Sequence, residues 1–95
     1  MGSVTTRKPP AKGIELNFIG GRTSIDADGE FRMWMTDDRR YRIVERRKRG
    51  GTRFYPQMLG DQRMERIGPS EGLTSFAAAS QLCRERAALK QQLFA

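Results

Sequence analysis

Residues 41–59 read YRIVERRK, RGG and TRFYPQML, two runs rich in β-branched and aromatic residues on either side of Gly50-Gly51. A Gly-Gly pair supplies the positive φ that a tight primed turn demands, so the stretch is predicted to be a β-hairpin. With those glycines as the turn, Thr52 falls opposite Arg49, Phe54 opposite Arg47, Pro56 opposite Glu45 and Met58 opposite Ile43. Alternation then sorts the side chains. Tyr41, Ile43, Phe54 and Met58 share one face and suit a core, while Arg42, Arg46, Lys48 and Arg53 surround Val44, Tyr55 and Leu59 on the other. A slip of one residue in one strand would exchange that strand's faces. Proline cannot donate to a ladder, so Pro56 is expected at a bulge or past the paired length.

Working towards the N-terminus, Phe31, Met33 and Met35 alternate with Arg32, Trp34 and Thr36. That pattern predicts a strand whose core face is methionine-rich. Trp34 then points the other way, either as an anchor for a protein partner or covered by the N-terminal hairpin. Acidic residues at alternate positions in Asp26-Ala27-Asp28-Gly29-Glu30 invite a calcium reading, but the register fails. With Gly29 at the sixth position of an EF-hand loop, the twelfth is Met35, where a bidentate Glu is needed. A hairpin turn fits better, because strand-like runs flank it. Further upstream, Ile14, Leu16 and Phe18 alternate with Glu15, Asn17 and Ile19 before Gly20-Gly21. This predicts a half-buried strand entering a turn, with residues 22–25 returning as a short second strand. Residues 1–12 have little to bury and read as a disordered basic tail preceding one small domain over residues 13–95.

Towards the C-terminus, Gly60-Asp61 marks a turn, residues 62–67 a short last strand and residues 68–72 a loop. Thr74 or Ser75 can cap a helix running from Phe76 to about Leu93, favoured by Ala77-Ala78-Ala79. Its apolar stripe is predicted at Ala78, Leu82, Leu89 and Leu93, joined near the start by Ala79 and Cys83. The predicted fold is therefore α+β: an antiparallel, largely meandering sheet of about five or six short strands packed on one C-terminal helix.

The 95 residues carry 18 Lys and Arg against 11 Asp and Glu, a net charge of +7. Such a balance favours polyanionic partners, nucleic acid before an anionic membrane. A chain of this size is near the lower end of what buries a self-sufficient core, which also admits a homodimer. The chain has one cysteine, Cys83, and so no internal disulfide, as suits a reducing cytoplasm. No stretch is apolar enough for a signal peptide or membrane span. Histidine is absent, which removes the commonest general base and metal ligand. Cys83 on the helix stripe has no evident base, and neither a GxxxxGK run nor a CxxC is present. Catalysis, metal and cofactors are therefore not expected.

The strongest positive feature is Arg46-Arg47-Lys48-Arg49 at the hairpin tip, continued by Arg53 and preceded by Arg39-Arg40 and Arg42. Like charges on one ladder repel unless an anion arrives, and a two-stranded ribbon fits the major groove of DNA. Arg42, Arg46, Lys48, Arg49, Arg53 and the interleaved Tyr55 are the candidate nucleic-acid contacts. A plainer reading is that the cations guard an exposed strand edge against aggregation.

The basic hairpin, the short strand after it and a helix opening Leu73-Thr74-Ser75-Phe76-Ala77-Ala78-Ala79 resemble the three-strand-plus-helix layout of AP2 domains and of the arm-binding domains of tyrosine integrases. The resemblance covers little more than half of the chain. It implies a sheet lying on DNA through Arg42, Arg46, Lys48 and Arg53, with Leu82 and Leu89 holding the helix behind it. The chain is also similar to small orphan proteins of phages and plasmids. That likeness implies the rival function, an inhibitor or adaptor that binds a host protein, here through an apolar patch of Trp34, Tyr55 and the methionine-rich strand.

Overall fold

A computed structural model describes residues 15–94, with side chains through residue 90. The basic tail predicted over residues 1–12, Ile14 and the side chain of Leu93 lie outside the described residues. The strands are β1 (Phe18–Asp26), β2 (Gly29–Thr36), β3 (Tyr41–Lys48), β4 (Gly51–Leu59) and β5 (Met64–Arg66), followed by the helix α1 (Phe76–Phe94). They form one five-stranded antiparallel sheet in which spatial order follows chain order. The fold is the expected α+β meander with a C-terminal helix.

The central hairpin turns one residue earlier than predicted. Lys48 pairs with Gly51, so Arg49 and Gly50 form the turn, and the positive φ falls on Gly51 at +124°. A single positive-φ glycine closing the turn replaces the two that a primed turn needs. The β1–β2 hairpin uses the same device: Asp26 pairs with Gly29 at φ +111°, and the Asp28 N–H donates to Asp26 Oδ1 at 2.9 Å. This is the hairpin turn preferred over a calcium loop. Moving the β3–β4 turn by one position changes the pairing offset by two. Ile43 now faces Pro56 and Val44 faces Tyr55, yet every side chain keeps its predicted face.

Pro56 lies within the paired length, at neither a bulge nor an end, and is fully buried. The direction of its backbone explains why it is tolerated. Phe54 exchanges hydrogen bonds with Leu73 at 2.8 Å in both directions, and the Ile67 N–H donates to the Pro56 carbonyl at 3.0 Å. Residues 54 and 56 thus turn their polar groups away from β3, so the missing N–H costs no bond in the β3–β4 ladder.

Gly20-Gly21 is not a turn. β1 runs straight through it, with a bulge between Gly20 and Thr23. One long strand replaces the two short ones predicted, and Gly20 lets the Trp34 ring lie against the strand: a Cβ there would come within 2.6 Å of the ring.

β2 is turned over relative to the prediction. Trp34 pairs with Ile43 and Met33 with Val44, so Trp34 lies on the helix side and Met33 on the far side with the arginines. The strand carries large apolar groups at both parities, and packing against the helix selects the indole. Phe76, the first helical residue, holds three rings edge-on: Trp34 at 5.0 Å, Phe18 at 5.8 Å and Phe54 at 6.1 Å between centroids. Trp34 Nε1 donates to Glu45 Oε1 at 2.9 Å, which satisfies the indole at the margin of this cluster.

Ser75 caps the helix from just before it: its Oγ accepts the Ala78 N–H at 3.0 Å. Its buried stripe is Ala79, Ser80, Cys83 and Ala87, rotated from the predicted one; Ala78 is exposed and Leu89 is 51% exposed. Small residues let the helix backbone approach β3 and β4 closely, bringing Ala79 and Cys83 to 0% exposure beside Ile43, also at 0%. Leu82 remains half-buried at the rim of this contact.

Ile43→Ala is expected to cost on the order of 2 to 5 kcal/mol. Leu89→Ala is expected to cost about 0.5 kcal/mol or less, as a surface change. Among the described residues Ser80 Oγ is buried without a hydrogen-bond partner, so Ser80→Ala is expected to raise stability by on the order of 1 kcal/mol. Urea unfolding of the three variants measures all of these, and a destabilisation at Leu89 matching that at Ile43 would restore the leucine stripe.

Candidate nucleic-acid interface

The helix covers one side of the sheet. Among the described residues no element packs on the other, which is built by strict alternation along the strands. β3 contributes Arg42, Val44, Arg46 and Lys48, and β4 contributes Arg53, Tyr55 and Gln57. Gln57 pairs with Arg66 of β5, and Phe31 and Met33 of β2 pair with Arg46 and Val44. Of the predicted contacts, Arg42, Arg46, Lys48, Arg53 and Tyr55 therefore share this face. Arg49 sits in the turn, exposed beyond it.

Each guanidinium over the middle of the face is held. Arg46 Nη1 donates to Asp26 Oδ1 at 3.0 Å and Nη2 to Oδ2, a two-pronged pair that reaches from β3 across β2 to the end of β1. This pair holds the Asp26 carboxyl below the usual carboxylate range and raises the Arg46 guanidinium. The Arg46 guanidinium carbon also lies over Phe31, 5.1 Å from the ring centroid. Arg42 Nε donates to Gln57 Oε1, and its Nη1 lies 3.7 Å from Met33 Sδ. Partial burial lowers the Arg42 pKa, though an arginine remains charged. Arg66 donates to the Ser70 carbonyl at 3.3 Å and lies 4.9 Å from the Tyr55 ring centroid.

Tyr55 is 7% exposed, beneath Arg66 and with the Lys48 ammonium 6.0 Å from its centroid. The loop at Gly72 closes its flank so tightly that a Cβ there would come within 2.7 Å of the ring. Tyr55 is thus part of the floor on which the cations rest, not a projecting contact. Among the described residues Lys48 and Arg53 make no salt bridge, and Arg53 stands directly across from Arg46. The same face carries a cleft of about 230 Å³, lined by Val44 and Met33 together with Arg42, Arg46, Arg66 and the Asp26 carboxylate, among others.

Sequence reasoning does not reach Arg66, Phe31 or Asp26. Arg66 follows from continuing the alternation of β4 through the turn at Gly60, once the pairing of Gln57 with Arg66 is known. The Asp26–Arg46 pair joins residues 20 apart in sequence and has no local signal. Of the predicted apolar patch, Trp34 lies on the opposite face from Tyr55, whereas Met33 of the methionine-rich strand shares Tyr55's face.

Cys83 is buried and its thiol is pushed up to about 12 by desolvation, so it carries no thiolate at neutral pH. Among the described residues no cluster of three or more His, Cys, Asp or Glu could hold a metal ion. Within the described residues no helix is long and apolar enough to cross a membrane. No family model, curated protein or solved structure matches the chain.

The Asp26 pair gives a pH signature. A carboxyl whose folded pKa is depressed contributes stability that is present above its unfolded value and lost as pH falls through the folded one. Thermal melts of the protein and of Asp26→Asn are expected to differ above about pH 4 and to converge in more acidic solution. A gap that persists unchanged at low pH would show that Asp26 acts through something other than its charge.

Proposed function

We propose that the protein is a small cytoplasmic, non-catalytic module that binds nucleic acid across the uncovered face of its sheet and along the tip of the β3–β4 hairpin. The observation that carries this reading is the composition of that face. Arg42, Arg46, Lys48, Arg53 and Arg66 share it, and Asp26 is the one acid on its strand positions among the described residues. Arg46 and Arg53 are direct cross-strand neighbours, an arrangement that repels without an anion between them. Asp26 neutralises one of the two. A phosphate backbone would satisfy the other, together with Lys48.

Edge protection accounts for part of the cluster only. Past Arg46 the hairpin extends beyond its pairing with β2, so Arg47, Lys48, Arg49 and Arg53 could serve to guard a free edge. Arg42 and Arg46 lie where β3 is paired on both sides and no edge exists to guard. Asp26 answers the charge of Arg46; that of Arg42, held only by the neutral Gln57 and Met33, needs another reason, and a polyanion supplies one. The resemblance to AP2 and integrase arm-binding domains points the same way, since those place a helix-backed sheet against DNA.

Nucleic-acid binding is expected to fall steeply with salt, and removing any one cation that binds a phosphate flattens the slope by roughly one unit on duplex DNA. The double variant Lys48→Glu, Arg53→Glu is expected to abolish a gel shift, while Lys90→Glu, exposed on the helix, leaves it unchanged. If both variants bind like the parent, the uncovered face is not the contact surface. Retention of an unrelated protein by the parent, and not of nucleic acid, would put the host-protein adaptor in its place.

A further inference from the structure

The cleft on the uncovered face has a chemistry that phosphate binding leaves unused. Val44, Met33 and Phe31 give it apolar surface beside the polar groups of Asp26, Gln57 and Tyr55, and phosphates have no use for the apolar part. Around that surface stand Arg42, Arg46 and Arg66, each already braced: Arg42 by Gln57, Arg46 by Asp26, Arg66 by the Ser70 carbonyl. Bracing removes much of the cost of ordering long side chains when a ligand arrives. A volume of about 230 Å³ is below the ~300 to 1,000 Å³ of pockets that enclose drug-sized ligands. It suits one planar ring system.

Apolar side chains bounded by guanidinium groups and the hydrogen-bonding groups of Gln57 and Asp26, on a face of net positive charge, match one chemical unit: a flat heterocycle joined to an anion. Bases stack on arginine planes as they do on aromatic rings. In a duplex the ring faces are hidden in the stack, whereas a single strand exposes them. We infer that this cleft takes one unstacked nucleobase, with the flanking phosphates on Lys48 and Arg53, so that single-stranded nucleic acid is the preferred ligand. The inference rests on the nucleic-acid reading and adds to it the form of nucleic acid recognised.

The test compares three dye-labelled probes by fluorescence anisotropy on the full chain: oligothymidylate of about eight nucleotides, an abasic oligomer with the same number of phosphates, and a duplex of the same length. The thymidylate probe is expected to bind roughly tenfold tighter than the abasic one. It is also expected to bind tighter than the duplex. Arg66→Ala, which strips one wall of the cleft, is expected to erase most of the difference between thymidylate and abasic probes. Arg53→Ala weakens both probes alike and preserves the difference. Equal binding of thymidylate and abasic probes, or tighter binding of the duplex, overturns the inference and leaves the nucleic-acid reading intact. Failure of all three probes to bind at low salt overturns both. The comparison on the parent protein needs no variant, so an Arg66→Ala chain that does not fold leaves it decisive.

Discussion

A single helix cannot cover this sheet. With side chains an α-helix is about 10 to 12 Å across, whereas strands lie about 4.7 to 4.9 Å apart, so five of them outspan it nearly twofold. The chain meets the constraint by placing α1 over β3 and β4, with a stripe of alanine and cysteine that brings the backbones together over Ile43. Towards β2 and β1 the cover is aromatic. Phe76 extends sideways from the first turn to reach Trp34 and Phe18, and past that point β1 is exposed through Asp26. The core is therefore narrow and depends on close approach more than on bulk.

The same constraint shapes the other face. With no second helix among the described residues, Val44 and Tyr55 must be shielded by the loop at Gly72 and by what grows from the sheet itself, and long cationic side chains do this well because their methylenes are apolar while their heads stay wet. Arg66 and Lys48 lie over Tyr55, and Arg46 over Phe31. The cover is thus made of groups that also repel one another. Asp26 relieves part of that repulsion from two strands away, fastening the end of the β1–β2 hairpin to the middle of the sheet. Shielding the sheet and gathering positive charge are consequences of one choice of side chain.

What the sequence makes legible follows where one strand parity is apolar and the other charged. In β3 and β4 that contrast is strong, and the faces survive a misplaced turn because moving the turn by one residue shifts the pairing by two. In β2 the contrast is absent: Phe31, Met33 and Met35 oppose Trp34, and alternation cannot decide which set faces the helix. Phe76 decides it, and it lies far along the chain from Trp34. On the helix, leucines are the natural guess for a buried stripe. The sheet instead selects the small residues, because the Ala79, Cys83 and Ala87 side permits a shorter approach than the Leu89 side. The site divides in the same way, its β3–β4 cations readable by parity and its partners Asp26 and Arg66 dependent on pairings of other strands.

Pairing also determines which cations can serve two purposes. Arg42 and Arg46 are committed within the fold to Gln57 and Asp26, so a ligand that engaged them by charge alone would have to compete with those partners. Lys48 and Arg53 make no salt bridge among the described residues and can take phosphate at little cost. On the nucleic-acid reading proposed above, such a face would divide its labour: uncommitted charge at the hairpin tip would attract a polyanion over distances set by screening, and the held guanidinium groups nearer the centre would present a fixed shape. Charge alone would select any polyanion. On the same reading, the held guanidinium groups around Val44 and Met33 would be what lets such a surface distinguish one polyanion from another.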